Sequence, residues 1–187
     1  MDNFKSISVS RNGNKSLKIH NPTIYKLIGQ GKQGAVFQLT PQRCVKIFAI
    51  SKQAKKECAI IKQLEGLPFM PMVFETGDNY IVMEYIKGVP LDQYLKEKEI
   101  LDQSLTKQIL FLVKEMKRFN KTDIEYRHIL VTNDGELKKI DHGSKNPSKP
   151  QTVKPLKLLK MLKKLNLYEK FLQQVKNLDP QTYSKWK

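Results

Sequence analysis

Up to about residue 86 the hydrophobic and polar positions alternate in short runs with a period of two, and from about residue 91 they recur nearer every 3.6 residues. The first half therefore predicts strands. TIYKLI (23–28), AVFQL (35–39) and RCVKIFA (43–49) mix β-branched and aromatic residues in alternation, and MVFET (72–76) and YIVMEYI (80–86) flank a TGDN turn as a hairpin. Between them KQAKKECAIIKQLEG (52–66) has helical spacing, with Ser51 expected as its N-cap and Gly66 as its closing residue. In the second half LDQYLKEKEI (91–100) predicts a short helix. SLTKQILFLVKEMKRFN (104–120) predicts a longer one, with Leu105, Ile109, Leu112, Val113 and Met116 on one face. A polar loop leads to two short strands, HILVT (128–132) and ELKKI (136–140), joined by an NDG turn, and beyond Pro155 the pattern is helical through Leu178. The order is that of an α+β chain: an antiparallel sheet with one helix, then a mainly helical half.

The link between the first two strands, IGQGKQGAVF, spaces Gly29, Gly31 and Gly34 as GxGxxG, with Val36 two places on. Glycine supplies positive φ and close backbone approach in any tight turn, so the triplet alone is compatible with a plain hairpin. A Rossmann fingerprint is excluded, because its glycines open a helix and here a second strand follows.

Composition narrows the picture. With 34 Lys and Arg against 18 Asp and Glu, the 187 residues carry a net charge of +16, which attracts polyanions and equally serves solubility. The length suits one folding unit, or two small lobes sharing a cleft. No segment has the roughly 20 apolar residues that cross a bilayer, and the N-terminal stretch is charged where a signal peptide is apolar, so a cytoplasmic protein is expected. Cys44 and Cys58 have apolar neighbours and no CxxC spacing, so they are expected to be reduced packing residues.

Taken in chain order, further residues give the glycines a context that resembles the protein-kinase fold. Ile28, Gly29, Gly31, Gly34 and Val36 match the glycine-rich loop over ATP phosphates, Lys46 in CVKIF the third-strand lysine, and Glu57 in KKECAII the helix-C glutamate. Asp123 in KTDIEYRHIL matches the aspartate of HRDxxxxN, and Asp141 in IDHG the metal-binding aspartate of DFG, 18 residues on with a hairpin between. The resemblance covers about residues 24–144. It implies a two-lobed fold, with an N-lobe and hinge over 1–86 and a truncated, mainly helical C-lobe over 87–187 that includes a basic helical tail at 155–178. It further implies ATP and Mg²⁺ as ligands. Phosphoryl transfer needs a fixed cation on the phosphates, a role for Lys46 held by Glu57, and a metal-binding carboxylate, a role for Asp141. Asp123 would orient or deprotonate the attacking hydroxyl. MEYIKG would be the hinge, with Met83 at the back of the adenine pocket and backbone groups of Glu84 to Ile86 available to the base.

The departures from that pattern are informative. His128 stands where the catalytic-loop asparagine would be, and imidazole suits hard Mg²⁺ less well than an amide oxygen, so His128 is expected either to ligate a softer metal such as Mn²⁺ or to orient Asp123. Lys121 and Thr122 replace the His and Arg of HRD, so activation through a phosphorylated loop is not expected. His142 replaces the DFG phenylalanine, nothing after Gly143 resembles APE, and only 44 residues follow it. These features resemble a minimal, atypical, Rio-like kinase, which would move the ATP γ-phosphate to a serine or threonine hydroxyl, its own included. The alternatives are a pseudokinase that acts as an ATP-binding scaffold, a small-molecule kinase, and a basic nucleic-acid-binding protein. Residues 145–187 add 11 lysines against Glu169 and Asp179. Leu158, Met161, Leu162, Leu165, Tyr168, Leu172 and Val175 recur there at helical spacing, which predicts a helix or helix pair packed on the C-lobe. Its outward lysines form a candidate face for RNA or an acidic membrane surface.

Overall fold

The computed structural model of the chain describes residues 3–11, 13, 16–119, 124–141 and 154–187. Lys121, Thr122, Asp123, His142 and Gly143 lie outside the described residues. The chain is α+β and divides into two compact units, the first ending at Ile86 and the second beginning at Lys87.

In the first unit a short 3-10 turn at Phe4–Ser6 precedes β1 (Ser8–Arg11) and β2 (Leu17–His20). Next come β3 (Lys26–Gln30), β4 (Gly34–Gln38), β5 (Arg43–Phe48), α1 (Ser51–Leu64), β6 (Val73–Thr76) and β7 (Tyr80–Glu84). The last five strands form one antiparallel sheet in the order β3-β4-β5-β7-β6. Alternation gives this sheet two faces. Ala35, Phe37, Val45, Ile47 and Val82 bury one face against Ile7 and Val9 of the N-terminal segment. The β1–β2 hairpin was not legible in the sequence, because SVSR and LKIH hold at most two apolar residues each and gain their hydrophobic surface only from the sheet beneath.

One local expectation is corrected. Ser51 is the first helical residue of α1 and not its cap. Ile50 occupies the N-cap position with extended backbone and no side-chain bond, and the main chain supplies the first turn through the Gln53 amide, which donates to the Ile50 carbonyl at 2.9 Å. None of Gly29, Gly31 and Gly34 takes a left-handed conformation; the glycines that do, among the described residues, are Gly13, Gly66 and Gly135. At Gly34 the requirement is space: a Cβ there would sit 2.3 Å from the Ile47 carbonyl oxygen across the β4–β5 ladder. Gly66, at φ +83°, follows the end of α1 as expected of a residue just past a helix.

The second unit contains β8 (Gly88–Pro90), α2 (Leu91–Lys98), α3 (Gln103–Arg118), a 3-10 turn at Tyr126–His128, β9 (Ile129–Thr132) and β10 (Leu137–Lys139). Its tail forms α4 (Leu156–Lys164), α5 (Tyr168–Leu178) and α6 (Pro180–Trp186). The three strands order as β10-β9-β8, all antiparallel. α3 starts at an Asp102 cap, whose Oδ1 accepts from the Leu105 amide at 2.7 Å, and buries Leu105, Ile109, Leu110, Leu112, Val113 and Met116. Its Gln108 side chain clamps the β9–β10 turn, donating to the Gly135 carbonyl and accepting from the Leu137 amide, each at 2.9 Å.

The tail is not one run of helix. At the end of α4, Asn166 adopts φ +56°, and the Leu167 and Asn166 amides turn back to the carbonyls of Leu162 and Lys163. This is a Schellman motif with asparagine in place of glycine. The third helix, α6, lies beyond the expected boundary, with Asp179 capping it through the Thr182 amide at 3.0 Å. The tail packs on α3: the Thr106 hydroxyl donates to Gln174, Gln174 donates to the Leu101 carbonyl at 3.1 Å, and Lys114 meets Asp179 at 2.6 Å. Leu158, Leu159, Met161, Leu162, Phe171, Leu172 and Val175 are buried, whereas Leu165 and Tyr168 are half-buried.

Candidate functional site

In the first unit the chemistry sits on the sheet face opposite the N-terminal hairpin. β5 alternates so that Val45 and Ile47 point into the hydrophobic cluster, which turns Lys46 to the other side. The register sets Lys46 between Val36 on β4 and Ile81 on β7, with Cys44 and Met83 paired two residues along. α1 packs on these strands and brings in Glu57. The Lys46 ammonium donates to both carboxylate oxygens of Glu57, at 2.8 Å each, with Lys46 9% and Glu57 0% exposed. Lys46 Nζ also lies 5.0 Å from the centre of the Phe48 ring. Two charges removed from water cost more than a hydrophobic pair of the same size unless their geometry is good, so this pair is a poor device for stability alone.

The β3–β4 hairpin runs beside that face. Ile28 is half-buried at an irregularity in the β3–β4 pairing, and Gly29 pairs with Val36. The Gly31 amide donates to the Gly34 carbonyl at 3.0 Å and closes the turn. A Cβ on Gly31 would meet nothing within 4 Å, and one on Gly29 would meet only Val36, so the backbone there is bare. Gly34 serves the sheet, as described above. At the far edge Met83 is buried. The Glu84 amide donates to the Met72 carbonyl and the Tyr85 amide to the Gln42 carbonyl, both at 2.8 Å. Those two N–H groups are therefore committed to the protein itself, and the Glu84 carbonyl accepts from the Cys44 thiol at 3.7 Å. Cys44 is a buried thiol that burial, with Glu84 nearby, pushes up to about 11, and burial raises Cys58 too; both are inert packing residues.

In the second unit the β9–β10 hairpin brings positions 128 and 141 together at its open end, where the Ile140 amide donates to the His128 carbonyl at 2.9 Å. His128 Nδ1 lies 3.8 Å from Asp141 Oδ2, with the two side chains 42% and 38% exposed. Of the two, the carboxylate is the donor that suits a hard cation such as Mg²⁺, and the imidazole nitrogen suits a softer one. Among the described residues no three His, Cys, Asp or Glu side chains are grouped to hold a metal. Asp123 is outside the described residues.

Two neighbours were not singled out from the sequence. Lys139, 3% exposed, donates through Nζ to the main-chain carbonyl of Asp141 and so fixes the backbone that carries this carboxylate. In a lysine-rich strand it reads as a surface residue; the available signal was the period of two in ELKKI, which puts Lys139 on the buried face with Leu137. Glu125 binds Lys157 of α4 at 3.3 Å and Arg127 at 3.6 Å, which ties the segment before His128 to the tail.

Residues 51–177 match the ABC1 atypical kinase-like domain, and the chain belongs to that family. The matched span includes Glu57, His128 and Asp141 and begins after the glycine hairpin and Lys46. Among curated proteins, the chain is 34% identical over 122 residues to "Putative serine/threonine-protein kinase YrzF" of Bacillus subtilis (strain 168), which covers 62% of this chain and 57% of that protein. It is 25% identical over 151 residues to "Probable cAMP-dependent protein kinase catalytic subunit" of Encephalitozoon cuniculi (strain GB-M1), covering 68% and 47%. It is 33% identical over 104 residues to "Probable serine/threonine-protein kinase CPE1738" of Clostridium perfringens (strain 13 / Type A), covering 50% and 15%. The chain thus spans about half the length of the first two. No helix among the described residues is long and apolar enough to cross a membrane.

Proposed function

We propose that the chain is an ATP- and Mg²⁺-dependent phosphotransferase that phosphorylates serine or threonine hydroxyls, including its own. The observation that carries this reading is the Lys46–Glu57 pair, a buried cation fixed on both oxygens of one carboxylate. Its desolvation is hard to account for by stability and simple to account for by a need to hold an ammonium still.

When bound, ATP with its divalent cation supplies the transferable phosphoryl group and neutralises part of its charge. Lys46 then holds phosphate oxygens in a direction that Glu57 has already set. The bare backbone at Gly29 and Gly31 accommodates phosphates without side-chain obstruction. Met83 closes the back of the base pocket, with Val36 and Ile81 on the same sheet face. Asp141 offers carboxylate oxygens to the cation and His128 a nitrogen, while Lys139 keeps the Asp141 backbone in place. Asp123 orients the attacking hydroxyl and accepts its proton. The nitrogen donor is softer than an amide oxygen, so Mn²⁺ is expected to support turnover at least as well as Mg²⁺.

Incubation of the purified chain with [γ-³²P]ATP in each metal, alone and with a generic protein acceptor, tests the proposal. Label on serine or threonine in the wild type, abolished by Lys46→Met and by Asp123→Asn, is the expected result. ATP binding by calorimetry without transfer in either metal would overturn it in favour of an ATP-binding scaffold. Label on a sugar or aminoglycoside and not on protein would make the chain a small-molecule kinase.

A further inference from the structure

We propose that the exposed lysine face of α4 is a docking surface for the phosphate backbone of nucleic acid. Of the apolar residues of α4, Leu158, Leu159, Met161 and Leu162 are buried in the second unit, and Leu156 at its first position is exposed. The opposite side carries Lys157, Lys160, Lys163 and Lys164, which at 100° per residue fall within about a third of the helix circumference and span about 10 Å of its length. No acidic residue occurs between Lys154 and Glu169. Of the two acids in the tail, Asp179 is already engaged by Lys114 and Thr182.

Lysines three and four residues apart on one helix face repel one another, so the face is electrostatically unfavourable until a dense anion covers it. Single-stranded or duplex nucleic acid has that charge density, with phosphates spaced a few ångströms apart. Lys157 shares its charge with Glu125 at 3.3 Å, which leaves Lys160, Lys163 and Lys164 as the principal contacts. The Lys163 ammonium lies 4.4 Å from the ring centre of half-buried Tyr168, placing an aromatic side chain beside the basic stripe, as nucleic-acid surfaces often do. A bilayer is the less suitable partner. Amphipathic helices bind membranes by inserting a continuous apolar side, and α4 has one exposed apolar residue, Leu156, with Leu158, Leu159, Met161 and Leu162 packed inside the protein. The inference rests on the tail alone and does not depend on phosphotransfer.

The test is fluorescence anisotropy of the full chain with a labelled single-stranded RNA of about 20 nucleotides, titrated between about 50 and 200 mM salt. Three to four phosphate contacts predict that log K falls against log salt with a slope of about −2 to −3. Lys160→Gln/Lys164→Gln should lower that slope by about 1.4 and weaken binding about ten-fold. Lys52→Gln/Lys56→Gln, which removes the same charge from exposed positions of α1, should change affinity less than about two-fold. Circular dichroism checks that both double variants fold, and the wild-type slope stands as a measurement that needs no variant. Equal weakening by the two double variants would overturn the proposal in favour of diffuse net charge. So would a flat salt dependence, or binding to phosphatidylserine-containing vesicles without binding to RNA.

Discussion

Lys46–Glu57 in the first unit and His128–Asp141 in the second are both pairs of a basic side chain and a carboxylate, and they are built in opposite ways. The first joins β5 to α1, is buried, and makes two bonds of 2.8 Å. The second joins the two ends of one hairpin, is about two-fifths exposed, and stands at 3.8 Å. A buried pair has spent its solvation and is fixed whether or not a ligand arrives. A pair two-fifths exposed keeps part of its solvation and is held less firmly by its own contact. In the proposed mechanism the first holds still a charge that must not move, and the second waits for a charge from outside.

The sharpest way to break this contrast is to remove one member of the buried pair. Glu57→Ala should destabilise the chain by about 3–5 kcal/mol, since it leaves an uncompensated ammonium in the interior, and urea denaturation reads the loss directly. Lys46→Met/Glu57→Leu should recover most of that stability while phosphotransfer stays absent. If the double variant is as unstable as the single one, the pair is a structural element after all.

Between the two extremes lies Lys114–Asp179, which joins α3 to the cap of α6. Lys114 first, and then Thr182, hold the Asp179 carboxyl well below the usual carboxylate range. A depressed folded value means that the pair contributes stability above the unfolded value near pH 4 and loses it as the pH falls further. Asp179→Ala should therefore cost about 1 kcal/mol at pH 7, and the gap from wild type should narrow in denaturation curves recorded below about pH 4.

The smallest effect on stability is expected at the open pair. His128→Ala should stay within about 0.5 kcal/mol of wild type and should lower Mn²⁺-supported turnover relative to Mg²⁺. An unchanged ratio of the two rates would remove His128 from the metal site and leave it as a positioning residue.

Much of the architecture was written in local pattern. The strands from β3 to β7, the helix after β5, the amphipathic α3 and the β9–β10 hairpin all follow from side chains whose direction is set by the period of their own element. What local pattern misread depended on a partner elsewhere. The β1–β2 hairpin is polar until the sheet covers Ile7 and Val9. Ser51 resembles a cap, but the Ile50 carbonyl already accepts from the Gln53 amide. Asn166 breaks the tail because asparagine tolerates the left-handed conformation that a Schellman end requires. At the candidate site, the sequence named the residue types without their state: Gly34 was matched to a glycine-rich loop, and only the structure shows that a Cβ there would sit 2.3 Å from the Ile47 carbonyl oxygen.

By itself, then, the sequence determined the strands from β3 to β7, the helices α1 to α3, the β9–β10 hairpin and the lysine stripe of α4, because periodicity and charge are properties of neighbouring residues. Only the tertiary structure decided that Lys46 is buried against Glu57, that Lys139 turns inward to the Asp141 carbonyl, and that α4 covers Leu158, Leu159, Met161 and Leu162 and leaves its lysines open. Burial and pairing depend on which segments distant along the chain come to lie on one another, and no local period carries that information.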